Sequence, residues 1–178
     1  MTKRVLVAVD GTEASNTALE IACALADSYD ANLGLLCVTE PRELDDDAIK
    51  AGVQEGVLSA PDFGSWYSDA FGSGASRYAE EAQRGAYAAF VGDAVAQNTV
   101  AQAKAYAQDS GAKAVKTFLG SGDVADAILD VAIKNHADLI VMGHDQRGRL
   151  ESLIKRSVAE KVERKAPCPC LIYCLTKG

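Results

Sequence analysis

The chain has 178 residues with 18 Lys and Arg against 25 Asp and Glu, a formal charge of −7, and this length fits one domain with a core large enough to need no disulfide or metal. Hydrophobic residues at 48% and charged residues at 24% exclude wholesale disorder, and the acidic balance excludes nucleic-acid binding of the sequence-independent kind, which rests on a basic surface. No apolar run reaches the roughly 18 residues of a membrane helix and no basic leader precedes one, so we expect a cytoplasmic chain without membrane insertion, its five cysteines free thiols.

In chain order, short β-branched runs alternate with longer helical patterns. Residues 3–10 (KRVLVAVD) are near-continuously apolar up to Asp10 and Gly11, as in a strand buried on both faces. Residues 13–28 place Ala14, Ala18, Ile21, Ala22 and Leu25 at helical spacing. Residues 32–38 (NLGLLCV) predict a second strand and 113–119 (KAVKTFL) a third. A helix follows over 123–135, a fourth strand over 138–142 (DLIVM) ended by Gly143, a helix over 152–165, and a last strand over 170–175 (CLIYCL). Pro169 must stand at the start of that strand, because it cannot donate to a central ladder. Strands alternating with helices of ten or more residues specify βαβ crossovers and a parallel sheet. In such open sheets ligands bind beyond the carboxyl ends of the strands, at the topological switch point. Those ends carry Asp10-Gly11-Thr12, Val38-Thr39 and Gly143-His144.

More than seventy residues between Val38 and Lys113 exceed what one crossover needs. Residues 43–58 predict an acidic amphipathic helix, 59–76 (SAPDFGSWYSDAFGSGAS) a loop, and 77–108 an Ala-rich helix weakened by Gly85 and Gly92. Seven of the eleven aromatics fall between residues 60 and 90, which makes this stretch either a decorated helical hairpin or a lid or docking surface with Trp and Tyr anchors. Small residues at Ala82, Gly85, Ala86, Ala89, Gly92 and Ala96 would admit a second helix, so helix packing within a dimer is the first reading.

Three segments together resemble the universal stress protein family: KRVLVAVDGTEAS (3–15), GSGDVADAILDVAIKNHADLIVMG (120–143) and RGRLESLIKRSVAEKVERKAPCPCLIYC (147–174). The resemblance covers both ends of the chain and leaves residues 41–95 unmatched, an atypical helical insertion after the second strand within a single domain over 1–178. It implies an open five-stranded parallel sheet in the order 3-2-1-4-5 with helices on both faces, like the adenine-nucleotide alpha-hydrolases. It also implies a homodimer, formed through the last strand Cys170–Leu175, to which the 77–108 helix would add.

Many members of the family bind ATP through a loop of pattern G-x2-G-x9-G-[ST], whose backbone N–H groups wrap the phosphates where side chains would hold them off. Here Gly143 stands at the first glycine and Ser157 at the closing hydroxyl, but Gln146 and Arg156 replace the other two glycines. Either these residues close the phosphate channel, or the Arg156 guanidinium replaces the lost backbone contacts. By resemblance the rest of the site is Asp10, Gly11, Thr12, Val38, Met142, Gly143, His144 and Val158, with ATP, AMP or a cyclic nucleotide as ligand and no metal needed by the protein itself.

Simpler readings stand beside these. Asp10 would cap the next helix, His144 would be a solvated loop residue, and His136 a surface residue near a helix end. Cys168, Cys170 and Cys174 share strand parity, but strand residues four apart are separated by roughly 13 Å, too far for one zinc ion. Cys23 and Cys37 follow core-facing patterns, and the Asp45–Asp47 run lacks EF-hand spacing. No nucleotide P-loop, nucleophile elbow or zinc-protease motif is present. The sequence thus predicts a nucleotide-responsive regulatory dimer, or else a nucleotide-independent scaffold or stress chaperone, with an unidentified protein partner. It predicts no catalytic residues beyond slow ATP hydrolysis near His144 and Asp10.

Overall fold

The computed structural model describes residues 3–39, 76–145 and 151–175. In chain order these form β1 (Arg4–Ala8), α1 (Glu13–Ser28), β2 (Asn32–Thr39), α2 (Ser76–Asp109), β3 (Val115–Ser121), α3 (Val124–Lys134), β4 (Leu139–Asp145), α4 (Glu151–Lys165) and β5 (Cys170–Leu175). All strand pairs are parallel, in the order β3-β2-β1-β4-β5. The chain divides into two compact units, Met1–Glu40 with Ala96–Gly178, and Pro41–Val95. The first holds the sheet. Of the second, residues 76–95 are described, as part of α2, which runs unbroken through Gly85 and Gly92. The acidic helix expected over 43–58 and the aromatic loop expected from residue 59 up to the start of α2 lie outside the described residues.

Two hydrophobic clusters sandwich the sheet. On one face α1 and the Ala96–Asp109 part of α2 cover it, with Ala18, Leu19, Ala22, Ala96, Val100, Ala103 and Ala107 against Val7, Leu35 and Val141. On the other, α3 and α4 set Ile128, Leu129 and Val162 against Leu6, Leu36, Ile140 and Met142. Each strand therefore supplies alternate residues to each face. Central strands β1 and β4 read as continuous apolar runs because both their faces are covered. Ala96, offered by its size to a partner helix, is instead buried in this chain's own core.

Local chemistry sets the helix ends. Thr12 caps α1 by accepting from the Ser15 N–H, and Asp123 caps α3 by accepting from the Asp126 N–H. Lys161 of α4 reaches both Asp123 (3.0 Å) and Asp126 (2.9 Å), tying α4 to the start of α3. Both helices stop at a left-handed residue, Asp30 (φ 48°) after α1 and His136 (φ 50°) after α3. The following N–H in each case turns back to the helix, Ala31 to Ala26 and Ala137 to Ala132.

Strand β4 runs three residues beyond the predicted DLIVM. Pairing of Gly143, His144 and Asp145 with Tyr173, Cys174 and Leu175 carries it past the glycine that marked its end in sequence. Strand β3 begins two residues later than predicted, where its pairing with β2 starts at Leu33 and Val115, and Lys113 before it pairs with Asp30 at the surface, 2.8 Å away.

Candidate functional site

The sheet's winding reverses between β1 and β4. From β1 the chain leaves to α1 on one face, and α3 and α4 flank β4 on the other. The two connections part there, and in open α/β sheets the crevice that such a parting makes at the carboxyl ends of the strands is where ligands bind.

On the β1 side of that crevice the turn is held by its own side chains. Asp10 Oδ1 accepts from the Thr12 N–H (2.9 Å) and the Thr12 hydroxyl (2.6 Å). The Ser15 hydroxyl donates to the Thr12 carbonyl (3.1 Å) and accepts from the Asp10 N–H (3.3 Å). Gly11 between them has φ +78°, the left-handed region that disfavours side chains. Thr12 and not Asp10 is therefore the cap of α1; the Asp10 carboxylate holds the capping residue in place, and Asp10 itself is exposed.

On the β2 side, Leu36 accepts from the Val9 N–H. In a parallel strand the peptide groups two residues on point the same way. The Val38 N–H and C=O therefore face the β1 side, beyond Ala8, where β1 ends.

On the β4 side, Gly143 lies against the first turn of α1. A Cβ there would overlap the carbonyl group of Ala14 and stand 2.6 Å from the Ser15 nitrogen. Close approach of two backbones, independent of any phosphate, already requires this glycine. Met142 faces away, buried in the cluster beneath α3 and α4, so only its backbone can border the crevice. His144 corrects the expectation of a solvated loop histidine. It lies within β4 and is 4% exposed, because β5 pairs alongside it. Its Nδ1 has no hydrogen-bond partner among the described residues, an unusual state for a buried polar atom.

Of the remaining sequence candidates, Gln146 lies outside the described residues. Arg156 and Ser157 fall on the backbone of α4, and Val158 packs against the core beneath that helix. Two neighbours escaped the sequence reading. The Thr99 side chain of α2 stands 3.9 Å from where a Gly11 Cβ would be, a placement only the packing of α2 reveals. Cys37 is buried beside Asp10, and burial first, then the Asp10 carboxylate, push its thiol pKa up against an opposing Val38 N–H. That state favours the thiol over the nucleophilic thiolate.

Cys168 and Cys170 pack against the α3–α4 cluster, and the Cys170 thiol donates to the Cys168 carbonyl at 3.8 Å. Burial raises the pKa of both. Among the described residues no three His, Cys, Asp or Glu side chains gather as a metal site, and no helix is long and apolar enough to cross a membrane.

Residues 1–173 match the Universal stress protein family. A universal stress protein of Methanocaldococcus jannaschii is 38% identical over 76 residues, 43% of this chain and 44% of that protein. The match thus spans under half the length of that relative. A universal stress protein solved in complex with cAMP superposes with a TM-score of 0.58 at 19% identity, covering 96% of this chain and 95% of the other. An Arabidopsis thaliana family protein with AMP bound gives 0.59 at 13% identity, covering 98% and 92%.

Proposed function

Because the chain belongs to the universal stress protein family, we propose that it binds an adenine nucleotide in the crevice at the carboxyl ends of β1, β2 and β4. In this reading it works as a non-enzymatic, nucleotide-responsive regulator and as a homodimer. What supports the reading is the switch point itself: the Asp10–Thr12 turn, the Val38 peptide groups turned toward β1 and the end of β4 all belong to the carboxyl ends of neighbouring strands. Structural neighbours solved with cAMP and with AMP make the same ligand class reasonable here. The Val38 C=O and N–H present the acceptor and donor that an adenine edge needs, and the exposed Asp10 carboxylate suits a ribose hydroxyl. Thr12 stands at the N-cap of α1, where backbone N–H groups favour negative charge. The buried His144 Nδ1 is one further group a ligand or an ordered water would satisfy. The dimer seam proposed is β5, a half-exposed edge strand.

The departures Gln146 and Arg156 from the family's glycine pattern favour a second reading, a scaffold whose nucleotide site is closed. Mass spectrometry of the denatured supernatant, with calorimetric titration by ATP, AMP and cAMP, separates the two. A co-purified or titrating nucleotide supports the switch; a blank from a folded protein supports the scaffold. Reverting both residues to Gly strengthens ATP binding if they obstruct, and weakens it if Arg156 holds a phosphate.

A further inference from the structure

A cavity lies at the opposite end of the sheet from this crevice, where β1, β2 and β3 begin and α3 ends. It is open to solvent on one side and has a volume of about 200 Å³, smaller than the roughly 300–1,000 Å³ of pockets that hold drug-sized ligands. Its floor is apolar. Leu6 and Phe118 line it, and Gly34 leaves space for the Phe118 ring, because a Cβ on Gly34 would stand 3.1 Å from Phe118 Cε2.

Its rim is cationic. Arg4, Lys116 and Lys134 line the cavity together with His136, and among the described residues no carboxylate does so. That contrasts with a chain of 25 acids and a charge of −7. The Arg4 guanidinium is held there by donating from Nη1 to the Asn135 carbonyl at 3.3 Å. Two carboxylates stand outside. Asp138 accepts the Arg4 backbone N–H at 2.9 Å, and Asp130 pairs with Lys134 at 3.6 Å across exposed side chains. Together these offset part of the rim charge: Arg4, Lys116 and Lys134 against two carboxylates leave an excess of one positive charge.

We propose that this cavity is a second ligand site, which takes a small aromatic carboxylate. The ring lies against Phe118 and Leu6, and the carboxylate meets the Lys116, Lys134 and Arg4 donors. An apolar floor with charge-assisted donors at one side matches the two ends of such a molecule. Its volume of about 200 Å³ suits one ring with a short acidic arm. The site shares no residue with the nucleotide crevice, so each stands or falls separately.

Titration of the ¹⁵N-labelled full chain with benzoate, read by amide shifts, tests this, with benzamide as the uncharged analogue. Saturable shifts at residues 4–6, 32–34, 116–118 and 134–137 are expected for benzoate, at least fivefold weaker for benzamide. The exposed-site variant K116E/K134E, with spectral dispersion retained, is expected to lose benzoate at least tenfold. AMP added to the same sample should move residues 10–12, 38 and 143–144 instead. Absence of saturable benzoate shifts, equal binding of benzamide, or full retention by the double variant would each overturn the proposal.

Discussion

Replacing Gly143 with Ala tests whether β4 and α1 touch backbone to backbone. The added Cβ overlaps the Ala14 carbonyl group and sits 2.6 Å from the Ser15 nitrogen, whereas non-bonded heavy atoms prefer about 3.5–4.0 Å. The first turn of α1 must therefore retreat by about 1 Å, and nothing at the contact is a flexible side-chain end. Overpacking costs typically 1–3 kcal/mol, and a contact between two backbones belongs at the top of that range, about 3 kcal/mol. For a chain of this size each kcal/mol lowers Tm by about 2–4 °C, so a loss of about 6–12 °C is expected in ligand-free protein. Gly111→Ala is the control. Its φ is +89° but nothing lies within 4 Å of its Cβ position, so it costs only the left-handed strain of about 1–2 kcal/mol. Both are read by urea and thermal melts followed by circular dichroism. A Gly143→Ala midpoint no lower than that of Gly111→Ala would refute the packing account and return Gly143 to a purely ligand-facing role.

Thr12→Ala should cost about 1 kcal/mol by removing the N-cap of α1, with Thr12→Ser restoring most of it in the same melts. Ile128→Ala empties a site with no solvent exposure and should cost about 2–5 kcal/mol; a loss under 1 kcal/mol would contradict the packing of α3 on the sheet. The Asp126 N–H, then Lys161, hold the Asp123 carboxyl below its usual pKa of 3.8. The unfolded chain therefore binds the proton more readily, and the stability from Asp123 is complete well above pH 4 and lost as pH falls through the lowered value. Asp123→Asn keeps the capping oxygen but should be less stable than the parent at pH 6, the gap closing as the pH falls through the lowered pKa of Asp123. A gap that persists unchanged in acid would exclude this linkage. Among the five thiols only Cys174 is exposed, and burial raises the pKa of Cys23 and Cys37. Aromatic-disulfide titration of the folded protein should label Cys23 and Cys37 at least tenfold slower than the same chain unfolded in urea; comparable rates would show that the core opens.

Element identity was legible in the sequence wherever it depends on neighbours along the chain. Helix α1 and strand β5 have the bounds that the helical apolar spacing and Pro169 set for them; that Thr12 rather than Asp10 caps α1 was not read. Strand β4 was read short because Gly143 resembles a terminator, and only pairing with β5 shows that the ladder continues. The same pairing buries His144, which local sequence places in a solvated loop. For the crevice, its β1 turn and β4 end could be named from sequence, since strand ends are locally marked. Thr99 could not, because α2 reaches the turn from 88 residues away in sequence.

The alternation of apolar runs with amphipathic helices determined by itself that this chain builds a parallel sheet, since each run carries its own period of burial. The tertiary structure alone decided which glycine is a contact and which histidine is buried. It also gathered Arg4, Gly34, Lys116 and Lys134 around one cavity. These properties arise from residues far apart in the chain, and no local pattern encodes the distance between them.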